Sequence, residues 1–388
     1  MTKITADWLL SENAQRIMRI FADAGHQIYF VGGCVRNALL GEGATDIDMS
    51  TSARPDEMLA LAKVAGIKCV PTGIDHGTLT WVVGKDAFEI TTFRKDIETD
   101  GRRAVVAFSD RVEDDANRRD FTMNALYCDS NGEVIDPVGG LPDLVARRVL
   151  FIGKPEERIA EDYLRVLRFF RFHAWYGDDA KGLDAEGLAA CAAAVGSLGT
   201  LSRERVGAEI MKLLSASAPE TALGAMEQSG VLTALLSGAG TKTLFTLSAL
   251  DAPVDPLTRL AALCDGDAVS TLRLPKRVEA EVARRRDHIG SEATLDEIAY
   301  RHGAETAIAV GYLRAATFET HPAPNMVETL SAAAAQVFPL KAADLMHLAS
   351  GPALGKALRD AEDHWIKHGF TPDKEALVTF IEQGGKDG

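Results

Sequence analysis

An α+β fold is predicted, with a small mixed β-sheet and its helices in the N-terminal third and an all-helical remainder. Three observations carry this. Short apolar runs alternate with helical stretches up to about residue 140. Beyond that point the segments become long, rich in Ala, Leu and Arg, and helical in period. Little there alternates with period two. A chain of 388 residues also exceeds what one hydrophobic core supports, so more than one domain is expected.

The elements follow in order. Ile28-Tyr29-Phe30-Val31 reads as a strand, with a helical stretch from Arg36 to Leu40 directly behind it. Ile47 with its flanking aspartates is a second strand candidate, Leu79–Val83 a third and Phe88–Phe93 a fourth. The segment Lys95–Asp110 carries many charges, a Gly and few apolar residues, and reads as a mobile loop. A helix is expected to begin at Arg118-Arg119-Asp120. Glu161–Ala174, Ala185–Ala194, Arg203–Leu214 and Ser291–Tyr300 supply further helices. No internal repeat is visible, and the alanine run Ala332–Ala335 is the one low-complexity tract.

Composition narrows the function classes. No stretch approaches the roughly 20 apolar residues of a membrane helix, and Met1–Asp7 lacks the basic-then-apolar build of a secretory signal. A cytoplasmic protein without membrane contact is expected. The five cysteines are scattered and never paired at a zinc-ligand spacing, which suits a reducing compartment. A formal charge of −14 excludes a generic nucleic-acid coat, because phosphate must be met by Lys and Arg. Only a local basic surface remains possible, and Arg273, Lys276, Arg277, Arg284, Arg285 and Arg286 offer one, although a solvated helix face explains such a run as well.

Five motifs carry chemistry. Phe30-Val31-Gly32-Gly33-Cys34-Val35-Arg36 ends a strand on two glycines that open a helix. Gly32 and Gly33 let a phosphate approach the backbone, the helix N-terminus favours the anion, and Arg36 adds a cation one turn in. A tight strand-to-helix turn is the plainer reading. Asp46-Ile47-Asp48 follows. In a strand both carboxylates face one way with Ile47 packed behind them, and like charges that close call for a cation. Mg2+, which takes a few carboxylates plus phosphate and water, is the natural one. Glu89, on the fourth strand candidate, offers a third carboxylate for a two-metal site, or is an exposed strand glutamate.

In Arg118-Arg119-Asp120-Phe121-Thr122-Met123-Asn124, Asp120 and Asn124 stand at i and i+4 and could bond a ribose hydroxyl while an arginine meets phosphate. A capped helix start is the alternative. Finally, Asp162, Arg165, Arg168 and Arg171 recur at spacing three along one expected helix. A salt-bridged amphipathic helix explains them. A more specific reading has Asp162 accept from the exocyclic amine of cytosine or adenine while Arg165 donates to the adjacent ring nitrogen and carbonyl. Uracil and guanine would then set acceptor against acceptor.

In order and spacing, these motifs across residues 30–171 resemble the class II CCA-adding enzymes and bacterial poly(A) polymerases. Asp344-Leu345-Met346, Gly351–Lys356 and Trp365 are similar to the C-terminal region of long CCA-adding enzymes. The resemblance implies a nucleotidyltransferase head over 1–140, a neck with the base-selecting helix over 141–215, a body over 216–330 and a tRNA-gripping tail over 331–388. It implies Asp46 and Asp48 as metal ligands, Gly33 and Arg36 as triphosphate contacts, and Asp162 with Arg165 as a protein template. Arg119, Arg168 and Arg171 become further nucleotide contacts. The implied reaction adds C, C and A to a tRNA 3′ end from CTP and ATP. One departure stands out: the family usually has Asp where this chain has Asn37. Poly(A) addition, partial CC or A addition, and an RNA-binding module on a degenerate fold remain as alternatives. In this family the element at Lys95–Asp110 is associated with the switch from C to A. Intact Asp46, Asp48 and Arg36 speak against a degenerate fold.

Overall fold

The computed structural model describes residues 2–43, 46–99 and 104–384. It divides into two compact units, Met1–Leu235 and Leu236–Gly388. Among the described residues, the first holds all the sheet structure. Its strands are β1 (Ile28–Val31), β2 (Asp48–Thr51), β3 (Lys68–Gly73), β4 (Thr78–Val83), β5 (Asp86–Thr92), β6 (Arg94–Thr99), β7 (Ala104–Phe108), β8 (Tyr127–Cys128) and β9 (Val134–Ile135). Seven of them form one mixed sheet in the order β3-β4-β5-β2-β1-β8-β9, in which only β2 and β5 run parallel.

The four expected strands are present, with shifted ends, and β3, β8 and β9 join them. The segment predicted as a mobile loop differs. Arg94–Thr99 and Ala104–Phe108 pair antiparallel as a separate hairpin, its base fixed by Ser109 N donating to the Phe93 carbonyl at 2.7 Å. Residues 100–103 of that segment lie outside the described residues.

The helix behind β1 runs Gly33–Leu39 and begins at Gly32, whose φ of 72° and ψ of −118° suit glycine alone. The core beside it gathers Val31, Phe93, Val112, Ala116, Ala125, Tyr127 and Ile152. Two expected helices are corrected. The segment from Arg118 does not start a helix: Val112–Asn117 ends just before it, and Thr122–Asn124 forms a single 3-10 turn. Nor does a helix run unbroken through Asp162. Pro155–Glu161 stops there, Asp162 is extended (φ −154°, ψ 105°), and a new helix, Leu164–Tyr176, follows. The Asp162 side chain accepts from Leu164 N at 3.1 Å, so it closes one helix start rather than continuing the previous helix.

The second unit is helical throughout the described residues. One core there centres on Ile298, Val310 and Leu330, and another on Leu345, Trp365 and Leu377. The expected helix at Ser291–Tyr300 begins later, as Leu295–His302, capped by Thr294. Half of the basic run is consumed internally. Arg284 pairs with Glu281, Arg285 is buried against Asp255 and Glu281, and Arg286 donates to the Ala261 carbonyl. Lys276 and Arg277 remain exposed.

Candidate active site

The carboxylates converge through sheet register. Because β2 and β5 run parallel with Asp48 opposite Glu89, those two side chains leave the same face of the sheet. Asp46 precedes the strand rather than lying in it. All three line an open cleft of about 870 Å³, with Asp7, Lys85 and Asp86 at its rim. Ile47 is half-buried and lines the cleft too, so it is not the core residue expected; Met49, 1% exposed, fills that place.

The cleft is short of positive charge. Burial, then the charges of Glu89 and Asp46, push the Asp48 carboxyl up to about 6, with Arg119 opposing them. Among the described residues no group of three or more His, Cys, Asp or Glu closes on one point as a metal cage. A cation at Asp46 and Asp48 would therefore be completed by oxygens of the substrate and by water, the coordination magnesium prefers.

Arg119 stands beside this cleft and is rigidly held. It donates to Asp115 Oδ2 at 3.0 Å and to the Tyr127 hydroxyl at 3.1 Å, and its Nη2 lies 3.4 Å from Ser50 Oγ. Asp115 is fully buried and also binds Arg118 at 2.7 Å. Burial alone would raise its carboxyl, but Arg119, Arg118 and the Tyr127 hydroxyl hold it well below the usual range. The sequence reading missed Asp115. Its signal was available, since an acid three and four residues before an Arg-Arg pair is the spacing that meets both.

Four of the remaining predicted residues, Arg36, Asp120, Asn124 and Arg168, form a second, largely buried network. Asp120 Oδ2 accepts from Arg168 Nε at 2.6 Å, and Asp120 Oδ1 accepts from Asn124 Nδ2 at 3.0 Å. Asn124 in turn accepts from Arg36, which also donates to the Tyr176 hydroxyl at 2.7 Å and to Asn37 Oδ1 at 2.9 Å. Burial tends to raise the Asp120 carboxyl, but Arg168 and the Asn124 amide bring it down to about 2. Arg36 is only 6% exposed, stacked over the Tyr176 ring at 3.9 Å, and every one of these hydrogen-bond partners is neutral. Burial lowers its pKa. Arg36 thus fastens Gly33–Leu39 to Leu164–Tyr176, where the sequence suggested an open triphosphate contact.

Phe172 collects three guanidinium groups, from Arg36, Arg168 and Arg171, at 5.2, 5.2 and 4.5 Å from its ring centre. Arg171 pairs with Glu209 at 2.6 Å. Arg165 is bound by Glu161 and by the carbonyls of Arg158 and Arg118. Asp162 pairs with Arg205 at 2.6 Å. Gly32 lies against Arg119: a Cβ there would stand 3.5 Å from its guanidinium. The structure therefore brings Asp46, Asp48 and Glu89 into one cleft. It places Arg36, Asp120, Asn124 and Arg168 in one hydrogen-bonded chain, while Asp162, Arg165 and Arg171 each have a partner of their own.

Comparison with known proteins agrees with this architecture. The poly A polymerase head-domain family matches residues 28–150, and the family described as the probable RNA and SrmB-binding site of polymerase A matches residues 183–240. The mitochondrial CCA tRNA nucleotidyltransferase 1 of Danio rerio is 30% identical over 97% of this chain and 91% of its own length. The CCA-adding enzyme of Streptococcus pyogenes serotype M2 is 42% identical over 179 residues, 46% of this chain and 44% of that protein. The crystal structure of the Bacillus stearothermophilus CCA-adding enzyme in complex with CTP aligns with a TM-score of 0.78 at 28% identity, covering 96% of each chain. A head built on paired carboxylates, a buried arginine network behind it and likeness along nearly the whole chain agree: this protein belongs to the CCA tRNA nucleotidyltransferase family.

Proposed function

We infer that the chain adds C, C and A in turn to the 3′ end of tRNA, from CTP and ATP, without a nucleic-acid template. The observation that carries this is the cleft lined by Asp46, Asp48 and Glu89, with the Arg119 charge acting on Asp48, within a chain similar to CCA-adding enzymes over almost its full length. In this reading Asp46 and Asp48 hold the divalent ions that the family uses, magnesium being the choice their oxygen ligands favour. When bound, such ions activate the attacking 3′-hydroxyl and neutralise the triphosphate.

The chain's own residues do the rest. Glu89 adds the third carboxylate. Gly32 and Gly33 leave room for phosphate at a helix start, and Arg119, fixed by Asp115 and Tyr127, supplies a cation that need not reorganise. Arg36, Asp120, Asn124 and Arg168 hold the helix Leu164–Tyr176 against the head, Asp162 with Arg165 selects the base, and Arg171 is a further nucleotide contact. The divisions 1–140, 141–215, 216–330 and 331–388 serve as head, neck, body and tRNA-binding tail. No described helix is long and apolar enough to cross a membrane, and five free thiols suit the cytoplasm.

The test uses tRNAs ending before CCA, at C and at CC, each incubated with one labelled triphosphate. CTP should enter the first two and ATP only the third. Repeated ATP incorporation on any end would assign poly(A) addition instead, and no incorporation on the shortest end would assign partial addition.

A further inference from the structure

The Gly32-Gly33 turn stands between two guanidinium groups. A Cβ added at Gly32 would lie 3.5 Å from Arg119 Nη1, and one added at Gly33 would lie 3.8 Å from Arg36 Nη2. The two cations differ in how they are balanced. Arg119 is paired at 3.0 Å with the buried carboxylate of Asp115. Arg36 is 6% exposed, and among the described residues its hydrogen-bond acceptors are the amides of Asn37 and Asn124 and the hydroxyl of Tyr176. The two carboxylates whose charges reach it are spent elsewhere: Asp120 is bound by Arg168 at 2.6 Å, and Glu42 is exposed to water.

Asn37 decides this balance. It stands where the resemblance leads one to expect an aspartate. Its Oδ1 accepts from Arg36 Nε at 3.1 Å and from Arg36 Nη2 at 2.9 Å, while its Nδ2 donates to the Gly43 carbonyl at 3.1 Å. An amide oxygen thus holds the guanidinium in place as a carboxylate oxygen would, but adds no charge. A buried cation held by neutral groups alone is a cost to the folded chain that an arriving anion relieves. These bonds occupy four of the five N–H donors of the guanidinium, so Arg36 acts on an anion at Gly33 through its field more than through contact.

We propose that Asn37 is a positioning residue for the triphosphate: it fixes Arg36 behind Gly33 without cancelling its charge, so that the phosphates of CTP or ATP supply the missing counter-charge. The proposal rests on the Gly32-Gly33 turn being the phosphate seat. A carboxylate at position 37 would supply that counter-charge permanently. The seat would lose its surplus of positive charge, and the loss would grow with the number of phosphates on the ligand while recognition of the base was left alone.

The experiment measures binding of CTP and of CMP, in magnesium buffer, to the full-length parent, Asn37→Asp and Asn37→Ala, with a thermal melt of each protein. Asn37→Asp should weaken CTP about tenfold and CMP about threefold, the size of step that one added charge gives at a few ångströms in a partly polar setting. It should melt no lower than the parent, because Arg36 gains a counter-ion. Asn37→Ala loses the same bond to Gly43 and adds no charge, so it should weaken both ligands by one small common factor. If Asn37→Asp weakens CTP and CMP equally, or no more than Asn37→Ala does, the charge argument is overturned and Asn37 serves only to hold its neighbours, while the phosphate seat stands. If the parent binds CMP as tightly as CTP, the outer phosphates are not held at the turn, and the reading of Gly32-Gly33 fails together with this proposal.

Discussion

The cleft of Asp46, Asp48 and Glu89 and the network around Phe172 are both made of charged side chains, yet they are built on opposite terms. In the cleft, like charges face one another across adjacent strands, and one carboxyl is pushed up by burial and by its neighbours. In the network every carboxylate has its arginine, and Asp120 is pulled down by the same kind of proximity. The difference teaches where binding energy is meant to enter. A surface of unsatisfied negative charge is stabilised by an arriving cation, whereas a satisfied network is already in its working geometry.

This contrast can be broken most directly at the cleft. Changing Asp46 or Asp48 to Ala should reduce nucleotide incorporation at least about a thousandfold, ~4 kcal/mol of transition-state stabilisation, with tRNA affinity nearly unchanged. Retention of a tenth of the parent rate by either variant would rule out the metal-ligand role. Because burial and the neighbouring carboxylates outweigh Arg119 at Asp48, Asp48→Asn should melt no lower than the parent.

At the network the effect should fall on folding. Asp120→Ala leaves Arg168 and Asn124 without their acceptor and should cost about 3–5 kcal/mol in urea unfolding. The pH dependence has a definite sign. Since the Asp120 carboxyl is lowered on folding, its contribution is complete above its unfolded value near 3.8 and is lost as pH falls through about 2. Urea midpoints measured across that window should decline in the parent through this component, and Asp120→Asn should lack it. Equal acid sensitivity in the two proteins would mean that the pair with Arg168 does not form in solution.

The reading of bases should show an intermediate effect. Asp162→Ala is expected to erode discrimination against UTP and GTP by about 1–3 kcal/mol, more than it weakens binding of CTP or ATP. One common loss for all four nucleotides would make Asp162 a helix-start residue and nothing more.

The smallest effect belongs to the hairpin. At Gly77, with φ +77°, an added Cβ would sit 2.7 Å from Phe108 Cε1 and 3.3 Å from Thr92 Cβ. Gly77→Ala should therefore destabilise by about 1–2 kcal/mol. If the hairpin reshapes the pocket between steps, A addition to tRNA ending in CC should suffer more than the first C addition. Equal losses on the two substrates would separate the hairpin from the switch.

Much of the cleft was legible in the sequence, because strand, glycine turn and Asp-x-Asp are local signals that tertiary structure has little reason to override. The Gly-Gly turn after Ile28–Val31 lies where expected, and Glu89 falls opposite Asp48 through a strand pairing that its apolar neighbours suggested. The helix through Asp162 was misread because spacing of three persists across the break. The periodicity of the side chains says nothing about a backbone that leaves the helix for one residue, though an Asp able to cap the next turn was the clue. The hairpin was hidden by the many charges of Lys95–Asp110, which outweighed the apolar Ala104-Val105-Val106 of its second strand. The partners of Arg36 escaped the sequence for a deeper reason: Asn124 and Tyr176 stand 88 and 140 residues away, beyond the reach of any local pattern.

That distance along the chain also sets a timetable. Asp120 waits 48 residues for Arg168, and Arg36 waits 140 for Tyr176. At the roughly 5–20 residues per second of synthesis, the catalytic sheet emerges several seconds before the side chains that complete its buried face. A fragment stopped near residue 140 would expose Arg36 and Asp120 to water in place of Tyr176 and Arg168. The nascent head is thus a half-finished object until the helix Leu164–Tyr176 follows it out and supplies both partners.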